Sequence, residues 1–203
     1  MLAHQVIEDL IKGANQKVFH EEAVKRIYSC ICLSQHFHFG SAGRLQHIRG
    51  LKPGALVELK EILIQPPYDQ SWFDVTGKWK LGYLIRTRKQ WPDWKIQSFE
   101  HDGRHWSPHT FALSVIKETG DIISYYEKIW VHDLTEEQYK RIMQENAGRV
   151  YSLLGVCMML LNRKNVEAIK HPAPEQLNKR RKAKGLPPLF SYHTLRVKLP
   201  TCH

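Results

Sequence analysis

Apolar residues recur at helical spacing in two stretches near the amino terminus. Val6, Ile7, Leu10 and Ile11 share one face of residues 4–12, and Gly13 supplies a stop signal. Ala23, Ile27, Cys30 and Ile31 repeat the pattern over 20–33, where Glu21 and Glu22 suit the positive end of a helix. The period then dissolves in QHFHFGSAGRLQHIRG, residues 35–50, with three glycines between Gly40 and Gly50. This stretch reads as a loop or hinge.

Downstream the pattern changes to short apolar runs separated by turn signals. Candidate strands cover 56–64, 71–75, 80–87, 94–99, 110–117 and 122–131. Thr76-Gly77-Lys78 and Glu118-Thr119-Gly120-Asp121 mark two hairpins between them. Six strands with short turns predict a mostly antiparallel, meandering sheet. A helix start follows at Thr135, with Gln138 three residues on, the spacing of a capping box. Tyr139, Ile142, Met143, Val150, Leu153, Leu154, Cys157 and Leu161 continue it as an apolar stripe over 134–161. Residues 192–199 read as a closing strand. The expected class is α+β: a meandering sheet packed by a long helix and preceded by a small helical unit. The expected division is 1–50 for the helical segment with its glycine-containing loop, and 51–203 for the main domain.

Composition narrows the setting. A chain of 203 residues can bury a sizeable core. Four cysteines without a disulfide-dense pattern fit a reducing compartment. MLAHQVIEDLIKG carries acids among its apolar residues, unlike a secretory leader. The longest nearly apolar run, Val150 to Leu161, is about half of what a membrane span needs. A soluble intracellular protein with no membrane partner is expected.

Charge adds the functional pointer. The net charge is +10, and residues 160–199 hold ten basic residues against Glu167 and Glu175 alone. The remaining residues are nearly balanced, so an anionic partner is expected to land here. Lys179, Arg180, Arg181, Lys182 and Lys184 give five cations in six residues, flanked by Asn178, Phe190 and Tyr192. Cations bind phosphates, amides reach bases or backbone, and aromatic rings stack. The competing reading is a solvated loop whose charges have no partner. Arg163, Lys164 and Asn165 follow the long helix; capping chemistry explains such residues there, unless Lys164 and Asn165 share a pocket with Arg181 and Tyr192. The candidate anion-binding set is therefore Arg163, Lys164, Asn165, Asn178, Lys179, Arg180, Arg181, Lys182, Lys184 and Tyr192.

The same segment carries a family resemblance. Leu161-Asn162, Lys164-Asn165-Val166, Asn178-Lys179-Arg180-Arg181, Gly185, Pro187-Pro188-Leu189, Tyr192 and Leu195 resemble a signature of small proteins of tailed bacteriophages and prophages that carry no assigned activity. Pro66-Pro67, Trp72-Phe73-Asp74 and Gly82-Tyr83 are a second, looser echo, so the likeness spans roughly 55–198. Arg163 stands where that family commonly has cysteine. The resemblance implies a viral protein in the host cytoplasm, with virion association left open, and it transfers no catalytic residues.

Other chemistry is less well supported. Cys30, Cys32, His36 and His38 are zinc-type ligands at a spacing that matches no common finger. His105-Trp106-Ser107 and His193-Thr194 loosely evoke phosphoesterases with paired histidines, and Asp69, Asp74, Glu100 and Asp102 a metal-dependent nuclease. No phosphate-cradling glycine motif, nucleophile elbow or dinucleotide fingerprint is present, so no cofactor or metal is expected. Trp91 and Trp94 at a turn motivate an alternative: an inhibitor or adaptor that binds a host or phage protein, such as a defence factor. The leading expectation is a phage accessory protein that binds nucleic acid or another polyanion rather than an enzyme.

Overall fold

The computed structural model describes residues 2–41, 68–77, 80–119, 121–126, 129–130, 135–162 and 164–197. Among them are four helices: α1 (Ala3–Asn15), α2 (Glu21–Leu33), α3 (Glu136–Leu161) and α4 (Glu175–Ala183). Eight strands build a single sheet: β1 (Gln35–Ser41), β2 (Gln70–Thr76), β3 (Lys80–Arg86), β4 (Asp93–His101), β5 (Trp106–Ile116), β6 (Ile122–Tyr126), β7 (Val166–His171) and β8 (Tyr192–Val197). The order is β6-β5-β4-β3-β2-β1-β8-β7. β2 to β6 form an antiparallel meander, and β7 and β8 pair antiparallel across α4 in sequence. β1 runs parallel to both β2 and β8, which makes the sheet mixed. The class is α+β.

Both faces of the central strands are covered, and successive residues point to alternate faces. On one face Trp72, Leu84, Phe99 and Trp106 share a buried cluster with Val6, Ile7 and Leu10 of α1 and Val24, Ile27 and Ile31 of α2. On the other, Phe73, Val75, Leu81, Tyr83, Ile85 and Ile96 cluster with Leu153, Leu154, Val156, Cys157 and Met158 from the carboxy half of α3. A strand buried on both sides reads as a continuous apolar run, which is why 71–75 and 80–85 are so legible. Gly82 permits a close approach. A Cβ there would lie 2.5 Å from the Trp72 ring.

The capping box at Thr135 is present: Gln138 N–H donates to Thr135 Oγ1 at 3.2 Å, and Thr135 N–H to Gln138 Oε1 at 2.9 Å. Gly13 does not end α1. It lies in the last turn, where a Cβ would collide with the Phe19 ring, and the helix stops two residues later.

One expectation needs correction, and two further stretches gain an assignment. Residues 35–41 are a strand rather than the start of a loop. His36 and His38 alternate with Phe37 and Phe39, so polar-looking residues hide a strand whose His36, Phe37 and Phe39 are all buried. Residues 166–171, with little apolar contrast, form the edge strand β7. Residues 178–184, expected as a loop or short helix, belong largely to α4. The candidate strand 56–64 and the 42–50 part of the hinge lie outside the described residues. On either side of that interval, β1 sits between β2 and β8, and α1 and α2 share a core with β2 to β5.

Candidate anion-binding surface

α4 ends by a rule its sequence announces. Gly185 adopts φ +66°, its N–H donating to Lys182 O at 3.1 Å, while Leu186 N–H donates to Arg181 O at 2.9 Å. Those two bonds are a Schellman closure, and glycine takes the left-handed position at least cost. The chain then doubles back along the helix. Asn178 holds it there with both ends of its amide: Nδ2 donates to Leu189 O at 2.7 Å, and Leu189 N–H donates to Oδ1 at 2.7 Å. Arg181 performs a similar task. Its Nε donates to Pro187 O at 2.7 Å, and its guanidinium pairs with Glu8 of α1.

The basic run therefore divides into two kinds of residue. Asn178 and Arg181 are occupied in fastening α4 to its surroundings. Lys179, Arg180, Lys182 and Lys184 are exposed, and none of them enters a salt bridge among the described residues. Part of this charge serves the helix itself, because cations in a last turn complement its negative end. That effect is worth only ~0.3–1 kcal/mol per charge and does not call for four of them.

Residues 175, 178, 179 and 182 share one face of α4 and line a groove of about 540 Å³. The opposite walls are Tyr28 of α2 and the Gly185, Leu186 and Pro188 return. Burial raises the Tyr28 hydroxyl pKa above its usual value, with smaller contributions from Cys32, so the phenol is a neutral wall. Glu175 is the groove's acidic member; Lys179 and Lys182 are its cations.

The other expected residues lie elsewhere. Lys164 and Asn165 are exposed in the turn between α3 and β7, and Arg163 lies outside the described residues. Asn162 ends α3 with its Nδ2 donating to Met158 O at 2.9 Å, the capping role. Tyr192 stacks on His171 with centroids 4.8 Å apart. Lys164, Arg181 and Tyr192 do not line the groove beside α4.

The structure also disposes of several loose motifs. Trp94 is buried in the α3-side core, and Trp91 is occupied by Arg88 and Lys95 over its ring at 5.0 and 5.7 Å. The two indoles are not a paired exposed surface. His105 precedes β5 whereas His193 lies on β8, five strand spacings or about 24 Å across the sheet. Among the described residues no group of three or more His, Cys, Asp or Glu is arranged to hold a metal, which removes the Cys30/Cys32/His36/His38 set. His36 instead points into the α2-side core, bonded to Ile31 O at 2.9 Å and stacked on Phe190 at 4.5 Å. Glu100 is bonded to His109, and Asp102 accepts from Arg104 and His105 N–H in its own turn. Asp74 is fully buried, where it pairs with His38. The carboxylates do not converge.

Sequence spacing missed that His38–Asp74 pair, since 36 residues separate the two. A signal was available in retrospect. Histidines alternating with phenylalanines next to a helix end are a strand pattern, and an acid inside an apolar strand needs a partner. No helix among the described residues is long and apolar enough to cross a membrane. No protein-family model, curated protein or solved structure matches this chain, so the phage resemblance rests on the residues quoted above.

Proposed function

We propose that this protein binds a polyanion, nucleic acid first among them, through the exposed cationic side of α4. One observation carries the reading. A short helix, anchored by Asn178 and Arg181, holds Lys179, Arg180, Lys182 and Lys184 in solvent without acidic partners among the described residues. Anchoring matters because it lowers the ordering cost of binding, and the adjoining groove offers Tyr28 as an aromatic wall. Backbone phosphates are the chemistry such a surface recognises; base-specific readout has no counterpart motif. Read with the phage resemblance, the protein is an accessory factor acting on nucleic acid within the host cell.

The test is salt-dependent binding of a 30-nucleotide single strand and of the matching duplex, comparing wild type with Lys179→Ala/Arg180→Ala/Lys182→Ala/Lys184→Ala. Arg181 is left intact because its loss would loosen the helix. Four lost phosphate contacts should flatten the slope of log affinity against log salt by about 3 on the single strand. Unchanged affinity and slope in the quadruple variant would refute the proposal.

A further inference from the structure

Anion binding leaves unexplained an in-register row of residues on β2, β1 and β8. Asp74 of β2, His38 of β1 and Thr194 of β8 are Cα partners across three parallel strands. Adjacent members are about 4.8 Å apart in strand spacing. Phe37 stacks on His193 on one side of the sheet, so by alternation His38 and Thr194 face the other. Asp74, fully buried, accepts from three donors: the Leu2 backbone N–H at 3.1 Å, Trp72 Nε1–H at 3.3 Å, and His38 Nδ1–H.

Ring chemistry then fixes what His38 offers. A carboxylate only accepts, so Nδ1 carries a proton, and in the neutral ring Nε2 is the nitrogen with the free lone pair. Nε2 makes no hydrogen bond among the described residues, and the side chain keeps 23% of its surface exposed. A buried carboxylate behind an imidazole whose far nitrogen is open is the orienting arrangement of a general base. On the next strand Thr194 Oγ1 is held by His171 Nε2 at 2.9 Å. α1 links the row to α4: Arg181 pairs with Glu8, one turn along α1 from His4, and the Leu2 N–H at the start of α1 donates to Asp74.

We propose that His38 is the general base in cleavage of RNA held on α4, an inference that takes the polyanion reading as its starting point. With both Asp74 oxygens engaged by N–H donors, the row offers no free carboxylate to a cation. The chemistry it suits is proton transfer. A lone imidazole base suffices where the nucleophile is already tethered beside the phosphorus, as the ribose 2′-hydroxyl is. Nε2 takes the 2′-hydroxyl proton, the 2′ oxygen bonds to phosphorus, and the bond from phosphorus to the 5′ oxygen breaks. The leaving 5′ oxygen takes a proton from water, the hydroxide so formed takes the proton from Nε2, and the other product is a 2′,3′-cyclic phosphate. Thr194 is a positioning residue beside His38, its hydroxyl fixed by His171 on the far strand. DNA lacks the nucleophile and is bound intact.

The experiment uses the full chain in EDTA with two substrates: the dinucleotide UpA, whose single phosphate does not depend on α4, and a labelled 30-nucleotide RNA with its DNA counterpart. Wild type should cut UpA and the RNA to cyclic-phosphate ends and spare the DNA. His38→Gln should slow both cleavages by about 10²–10⁴-fold while its melting temperature and RNA affinity stay at wild-type levels. His105→Ala should cut like wild type. Wild type that leaves UpA and RNA intact, or His38→Gln that cuts at the wild-type rate, overturns the proposal. UpA cleavage lost in His38→Gln, in a protein that fails to bind the 30-mers, would keep the base and remove the α4 reading. If His38→Gln misfolds, the decision passes to Asp74→Asn and Thr194→Val: cleavage at the wild-type rate in both refutes the row, and a loss in folded Asp74→Asn supports it.

Discussion

His36 gives the fold a stability loss in acid that can be worked out in advance. Burial is the largest influence and brings its pKa from 6.5 down to about 4. The bond to Ile31 O and the charge of Asp74 oppose the shift, and His193 adds to it. Its Nδ1 is buried with no partner among the described residues, so a second ring proton would enter the core unsolvated. As pH falls below 6.5 the unfolded chain takes up this proton and the folded one does not. The contribution is therefore fully present above 6.5 and is lost as pH falls toward 4. Between pH 7.5 and 4.5 the loss is on the order of 2–3 kcal/mol. Urea denaturation of wild type and His36→Phe at both values isolates it. Phenylalanine keeps a ring against Phe190 but cannot titrate, and the lost Ile31 bond is a constant that cancels in the difference. His4, also lowered chiefly by burial, acts alike in both proteins. The variant should lose less stability than wild type by that amount. Parallel losses in the two proteins would refute the reasoning.

Further predictions follow from packing and clamping. Gly82→Ala forces a methyl against the Trp72 ring and should destabilise by about 1–3 kcal/mol in the same urea assay. Arg181→Gln should lower the melting temperature by about 3–6 °C through loss of its Glu8 and Pro187 contacts, whereas Arg180→Gln, with the same charge change, should move it by no more than about 1 °C. Asn178→Ala leaves Leu189 N–H and C=O unpaired, so limited proteolysis should cut 184–190 earlier than in wild type. Gly185→Ala strains a left-handed position and should cost about 1 kcal/mol by urea denaturation.

Local patterns carried much of this protein. The stripes of α1 and α2, the capping box of α3, and the doubly buried runs of β2 and β3 are readable because each element's own residues set its period and its ends. The clustering of charge in the carboxy-terminal segment was equally plain. Which of those charges stay in solvent was not. Lys179, Arg180 and Arg181 are adjacent and chemically alike in the sequence, and only the position of Glu8 on a distant helix decides that Arg181 is spent on anchoring. Likewise β1 looked like a loop until β2 and β8 flanked it, because a strand buried on both faces needs partners that periodicity cannot name. His38 and Asp74 meet through register, a property of strand pairing that no spacing along the chain encodes.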